Sequence, residues 1–267
     1  MLSLAVNFSW PLKQFDMKNA FLYGDLEEEV YMQLPPGFNS SQSSGKVCRL
    51  RKALYGLKQS PRAWFGRFTE AMKRIGYHQG NSDHTLFIKQ KNGKVILLII
   101  YVDDMIVTGD DTNEIKKLQE CLSTEFKMKD LGGLKYFLGI EVARTKDGIY
   151  LSQQKYILDL LSETGMLECK PVESRIVQNH RLAIHLDQVP TNKERYQRLV
   201  GRLIYLSHTR PDIAYAVSVV SQFMHAPSED HMTAIMRILS YLKRAPGKGL
   251  TFKRHGNMEV KGFTNAD

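Results

Sequence analysis

Apolar residues recur at helical spacing through much of this chain. Trp64, Phe68, Met72 and Ile75 follow at intervals of four, four and three, one apolar face of a helix. Ser60 suits the N-cap of that helix and Pro61 its first position. A second helix is predicted from Asp111, with Glu114 three residues on in a capping-box arrangement. Ile115, Leu118 and Leu122 give its buried stripe. A third starts over Tyr156–Leu161, and Tyr196–Ser207, Asp212–Met224 and Ser228–Lys243 read as three more. The last has Glu229 and Asp230 in its first turn and Lys243 and Arg244 at its end, as the helix dipole favours. Pro246 and Gly247 stop it.

Strands are fewer in this reading. Val95–Tyr101 and Met105–Thr108 are dense in branched apolar residues and are broken by an acidic pair, which predicts a hairpin with Asp103 and Asp104 at its turn. Leu12–Asp16 and Tyr136–Ala143 are further strands. Asn39–Gly45 is a polar loop. Lys170–Glu194 has no clear period, contains Pro171 and Pro190, and reads as a linker dividing the chain near residue 180. The first part is then mixed α+β and the second mostly helical.

Composition narrows the class. The 267 residues are 43% hydrophobic and 24% charged, which excludes disorder, collagen and coiled coil for the whole. The longest apolar run, Val95–Val102, is too short to span a bilayer, so no membrane partner is expected. No secretory leader is read at the N-terminus. Cys48, Cys121 and Cys169 are odd in number and far apart, which indicates neither zinc ligation nor a disulfide scaffold and fits a reducing compartment.

Charge is unevenly placed. The net is +9 overall, −3 over residues 1–45, +8 over 46–74 and +5 over 233–267. The basic block holds Lys46, Arg49, Arg51, Lys52, Lys58, Arg62, Arg67, Lys73 and Arg74, interleaved with Tyr55, Trp64, Phe65 and Phe68. Such residues neutralise phosphates and release counterions. A solvated helix face above an aromatic core stripe explains the same composition. Both readings stand on composition alone.

The acidic pair is the most informative feature. Ionised carboxylates beside a core are costly unless compensated. A tight solvated turn would compensate them, and Asp is a common turn residue. Bound divalent cations would too, and oxygen ligands suit Mg²⁺. Asp16, at the end of a short strand, would face the same way as the hairpin tip. Three such acids could hold two ions about 3.5–4 Å apart. One ion would lower the pKa of an attacking hydroxyl and the other would stabilise a leaving pyrophosphate. Phosphoryl transfer rests largely on this positioning and charge neutralisation.

At this point the residues resemble a known family, the reverse transcriptases of copia-type long-terminal-repeat retrotransposons. Phe15–Met32 (FDMKNAFLYGDLEEEVYM) with Leu34–Phe38 (LPPGF) resembles the first catalytic motif and its extension. Leu54–Trp64 (LYGLKQSPRAW) resembles the motif contacting template and nucleotide, and Tyr101–Asp104 (YVDD) the polymerase signature. Leu134–Val142 (LKYFLGIEV) resembles the primer grip, and Arg210–Val217 (RPDIAYAV) lies in the helical connection region. These strings in this order are specific where a lone YVDD is not.

The resemblance implies an α+β right-hand polymerase palm, with an antiparallel sheet and packed helices, over residues 1–145. A thumb-like helical segment would follow over 146–180 and a helical connection region over 181–258. Residues 259–267 would begin a ribonuclease H domain, with Asn265 where the family usually has an aspartate. With Met1 only 15 residues before Asp16, the fingers subdomain is expected to be missing.

The implied activity is RNA-directed DNA synthesis, and the implied partners are an RNA or DNA template with its primer, deoxynucleoside triphosphates and other parts of a Pol polyprotein. A catalytically inactive remnant that retains nucleic-acid binding is the alternative. Asp16, Asp103 and Asp104 would be the catalytic and metal-binding carboxylates, holding two Mg²⁺ ions or Mn²⁺ in their place. Asn19, Ala20, Phe21, Tyr55 and Gly56 would form the nucleotide site, with Phe21 under the sugar. Arg49, Arg51, Lys52, Lys58 and Arg62 would contact nucleic acid. Phe137, Leu138 and Gly139 would position the primer terminus, and Lys127 or Lys129 would donate a proton to pyrophosphate. The family implies an intracellular setting, a cytoplasmic virus-like particle or the nucleus.

Overall fold

The computed structural model describes residues 1–37, 45–184, 187–256 and 259. The chain forms two compact units, residues 1–134 with those from 255 onward, and residues 135–254. Most of the polar loop at Asn39–Gly45 and nearly all of residues 259–267, expected to begin a ribonuclease H domain, lie outside the described residues.

The first unit opens with a short helix, α1 (Leu2–Asn7), and strand β1 (Leu12–Met17). An exposed ribbon, β2 (Asp25–Gln33) with β3 (Val47–Lys52), precedes helix α2 (Ser60–Arg74). Then come β4 (His78–Gln79), β5 (Leu86–Lys91), β6 (Lys94–Tyr101), β7 (Asp104–Gly109), helix α3 (Thr112–Glu125) and β8 (Met128–Gly133). Six strands make one antiparallel sheet in the order β4-β5-β6-β7-β1-β8.

Successive strand residues alternate between faces. Phe15 and Met17 of β1, Ile96, Leu98 and Ile100 of β6 and Met105 and Val107 of β7 lie in one core cluster. Trp64, Phe68 and Met72 of α2 and Ile115, Leu118 and Leu122 of α3 belong to the same cluster. Each such buried side chain contributes about 1.5–3 kcal/mol. The alternate residues Asp16 and Asp104 therefore point to the opposite face, away from the helices.

The predicted helical stripes hold, but the cap of α2 shifts. Gln59 is the N-cap. Ser60 is fully buried inside the first turn, and its hydroxyl donates to the Leu54 carbonyl at 2.6 Å instead of accepting from a helix amide. Asp111 caps α3 as expected, accepting from the Glu114 amide at 3.1 Å. The Glu114 carboxylate pairs instead with Lys89.

The second unit contains β9 (Tyr136–Phe137), β10 (Ile140–Arg144), β11 (Gly148–Ser152), helices α4 (Gln154–Glu163), α5 (Lys193–Ser207), α6 (Ala214–Ser221) and α7 (Glu229–Arg244), and β12 (Leu250–Lys253). Its sheet runs β12-β11-β10-β9. The four helices share a core that includes Ile157, Leu160, Leu203, Val220, Ile235 and Leu239. Of this sheet the sequence predicted only a strand over Tyr136–Ala143; β11 and β12 were not anticipated. The continuous strand expected over Tyr136–Ala143 is broken at Leu138–Gly139, both with positive φ, into a hairpin. The helix expected over Asp212–Met224 is a 3₁₀ turn at Pro211–Ile213 and a shorter α6.

The stretch around residue 180 is irregular, yet it is no boundary between units. It is stitched to α7 and the segment before it. The Val172 amide donates to the Ser240 carbonyl at 3.3 Å, and Arg237 donates to Ser174 at 2.7 Å. Beyond it, Glu229 donates to the Val189 carbonyl at 2.9 Å. Among the described residues no helix is long and apolar enough to cross a membrane.

Candidate active site at the acidic hairpin

Strands β6 and β7 are joined by a two-residue turn, Val102–Asp103, with Tyr101 and Asp104 as the closing pair. Asp104 is thus the first residue of β7, not part of the turn as the sequence suggested. Val102 has φ of +56°. A β-branched residue in this region is strained, by about 1–3 kcal/mol.

Two contacts hold the turn. The Val102 carbonyl accepts from the Trp64 indole at 2.7 Å. The Asp103 carbonyl accepts from the Met17 amide at 2.8 Å, which ties the turn to β1.

Across the sheet, Asp104 stands directly opposite Asp16, and Asp16 opposite Lys129 of β8. Directly paired residues of antiparallel strands share a face. Asp104, Asp16 and Lys129 therefore form a row on the face away from α2 and α3. Gln14, two residues before Asp16 and almost wholly buried, donates to Asp104 Oδ1 at 3.3 Å.

Burial raises the Asp104 pKa above 3.8, the Gln14 hydrogen bond opposes this, and the charges of Asp103 and Asp16 push it further up. Asp104 therefore feels both of the other acids. Among the described residues no three His, Cys, Asp or Glu side chains converge closely enough to hold a metal ion. The donor set suits a divalent cation in ligand type and charge, since hard cations take carboxylate oxygens and relieve such repulsion. It does not by itself close a coordination sphere.

The other predicted residues fall into groups. Asn19, at φ +56°, caps a 3₁₀ turn (Ala20–Tyr23) that follows β1. Ala20 is fully buried. Phe21 and Tyr55 come together with ring centroids 4.7 Å apart. Gly56 has φ of +95°, a conformation that favours glycine. Arg49 and Lys52 lie on the ribbon and pair with Glu29 and Asp25. Arg51, Lys58 and Arg62 are exposed. Arg67 and Arg74 both pair with Glu125, so part of the basic block is engaged within the unit.

In the second unit Phe137, Leu138 and Gly139 form the tip of the β9–β10 hairpin. Tyr205 of α5 donates its hydroxyl to the Leu138 carbonyl. Sequence reasoning missed Gln14, and it read Trp64 as a core aromatic and as part of the Leu54–Trp64 motif, not as a contact to the acidic turn. The spacing of Gln14 from Asp16 places both on one strand face, a signal that was available. The reach of Trp64 to the turn depends on tertiary packing and left none.

Residues 1–178 match the family described as reverse transcriptase (RNA-dependent DNA polymerase). The whole chain is 43% identical, over 267 residues, to the retrovirus-related Pol polyprotein from transposon RE1 of Arabidopsis thaliana, covering 18% of that protein. It is 40% identical over 279 aligned residues to the retrovirus-related Pol polyprotein from transposon TNT 1-94 of Nicotiana tabacum, covering 21% of it. Against the putative transposon Ty5-1 protein of Saccharomyces cerevisiae, identity is 29% over 94% of this chain and 82% of that protein. The chain spans about a fifth of the length of the plant polyproteins it matches. By its matched residues the chain belongs to the reverse transcriptase family, RNA-directed DNA polymerases, and its likeness is to the Pol polyproteins of plant copia-type retrotransposons.

Proposed function

We propose that this chain is the polymerising segment of a retrotransposon Pol polyprotein and extends a DNA primer on an RNA or DNA template from deoxynucleoside triphosphates. The observation that carries the reading is the direct opposition of Asp16 and Asp104 beside the Val102–Asp103 turn, on the sheet face away from α2 and α3. The first unit corresponds to a palm. Thumb-like and connection roles go to the helices of the second.

Asp16, Asp103 and Asp104 are the acids at the reacting phosphate. Two Mg²⁺ ions, or Mn²⁺ in their place, would be held by these carboxylates and would neutralise charge at the attacking hydroxyl and the leaving pyrophosphate. The Phe21 ring, packed on Tyr55, lies under the sugar and excludes a 2′-hydroxyl. The backbone at Asn19 and Ala20 and the turn at Gly56 border the triphosphate. Lys129, in line with Asp16 across the sheet, supplies the proton to pyrophosphate in preference to Lys127. Arg49, Arg51, Lys52, Lys58 and Arg62 contact the phosphate backbone, and the Phe137–Gly139 tip holds the primer strand.

The test is primer extension on an RNA template with a DNA primer and Mg²⁺, beside Asp103→Asn. Extension by the parent chain that disappears in Asp103→Asn supports the reading. Extension that persists in Asp103→Asn removes the acid from the chemistry. Template–primer binding without extension in either would favour a nucleic-acid-binding remnant.

A further inference from the structure

We infer that Trp64 is a positioning residue of the acidic turn: its indole N–H fixes the Val102–Asp103 peptide plane and so sets the direction of Asp103. This rests on the role proposed for Asp103 above. The middle peptide of a two-residue turn can rotate with little change in the flanking strands, because neither of its polar atoms belongs to the strand ladder. Rotating that peptide changes Val102 ψ and Asp103 φ and leaves Val102 φ at +56°, so the strain on this β-branched residue is relieved only when the turn itself opens. A donor on the carbonyl opposes both movements, and the Trp64 indole occupies that place at 2.7 Å.

Trp64 is well suited to the task. It is 2% exposed and wedged among Tyr23, Phe68 and Phe126, the last edge-on at 5.2 Å and 88°. Tyr23 is itself held, accepting from the Lys127 amide at 2.7 Å. Gly24 lets the backbone pass close to α2. A Cβ there would stand 2.6 Å from the Trp64 backbone nitrogen and displace the helix that carries the indole. Packing alone asks only for a large aromatic at position 64, whereas the contact to Val102 asks for a ring donor. The two requirements can be separated by substitution.

The experiment compares the parent chain with Trp64→Phe, Val102→Gly, the double variant and Asp103→Asn. Exchange of the Met17 amide with solvent deuterium, followed by NMR, reads the turn without any metal, because that amide donates to Asp103. Mn²⁺ affinity by electron paramagnetic resonance reads the acids. In Trp64→Phe, Met17 exchange should quicken about tenfold while the Val107 amide, deeper in β7, stays protected, and Mn²⁺ affinity should fall about fivefold. Glycine adopts φ +56° freely, so the same loss of the indole should cost less than twofold in the Val102→Gly background. Unchanged Met17 exchange in Trp64→Phe, or an equal loss in both backgrounds, overturns the inference. Undiminished Mn²⁺ affinity in Asp103→Asn overturns the metal reading instead, and the exchange data still decide the anchor.

Discussion

Asp104 in the first unit and Asp212 in the second are both half-buried, yet they sit in opposite fields. Asp104 is raised by burial, and its charged neighbours Asp103 and Asp16 raise it further against one neutral donor, Gln14. Burial also pushes Asp212 up, but hydrogen bonds from Arg210 and Tyr241, the Arg210 charge and Lys248 outweigh it and hold the carboxyl well below its ordinary 3.8. Arg210, 1% exposed, meets Asp212 through two bonds of 2.9 Å and also donates to the Ala245 carbonyl. Tyr241 adds a third bond at 2.9 Å. The lesson is that a motif acid with complete partners serves the fold, whereas one among like charges is left without such partners and is the candidate for the proposed chemistry. The string around Arg210-Pro-Asp has a structural explanation in this network, and the hairpin acids do not.

The sharpest way to break the comparison is to neutralise each acid in turn. Asp104→Asn should lower primer extension by at least ~10³-fold, about 4 kcal/mol in activation free energy. Its thermal unfolding midpoint should hold or rise. The sign follows from the raised pKa: the ionised form is disfavoured in the folded chain, so an amide removes a penalty. Calorimetry alongside the extension assay separates the two effects. A large drop in melting temperature would place Asp104 with Asp212.

Asp212→Asn should do the reverse. Removing the charge opposite a buried Arg210 should destabilise the second unit by about 3 kcal/mol. A carboxyl held low in the folded state stabilises fully above its unfolded pKa, and this contribution is lost as pH falls towards the folded value. The stability gap between parent and Asp212→Asn should therefore be constant above about pH 5 and narrow as pH drops below about 4. Urea titrations at several pH values measure it. A gap that widens in acid would show that the Arg210 network is not its source.

How much of this was legible in the sequence depends on where each signal originates. The helices were readable because their stripes are local, and so is the Asp111 cap of α3, although the cap of α2 moved from Ser60 to Gln59. Trp64, Phe68 and Met72 face the core as their spacing requires, and Ser228 with His231 closes the N-terminus of α7. The ribbon β2–β3 was not, because a largely exposed strand such as Asp25–Gln33 has no apolar alternation to find. β8 was hidden likewise by Asp130, Gly132 and Gly133.

Turn chemistry misled in both units. Leu138–Gly139, with both φ positive, has the pattern of a type I′ hairpin, but its apolar flanks read as continuous strand. At Val102–Asp103 the acids marked the turn, though its first residue carries the strain and its neighbour Asp104 belongs to β7. The acids themselves were legible because two charges in an apolar run conflict with the local rule, and such conflicts gather at functional sites. Their supports, Gln14, Trp64 and the Met17 amide, come from register and packing across the unit.

The smallest expected effect separates support from chemistry at Asp104. Gln14→Leu keeps a similar volume at a position 7% exposed and removes the amide that donates at 3.3 Å. A hydrogen bond of this length to a carboxylate is worth about 1 kcal/mol, so extension should fall about fivefold. Stability should change little, because leucine suits a buried strand position between β7 and β8. Gln14→Glu should be worse than Gln14→Leu, because it adds a further negative charge beside Asp104, which Asp103 and Asp16 already push up. If both substitutions cost the same, the contribution of Gln14 is its shape. If only glutamate costs activity, the neutrality of position 14 matters and its hydrogen bond does not. The graded order, glutamine above leucine above glutamate, is the result that makes Gln14 part of the device holding Asp104 opposite Asp16.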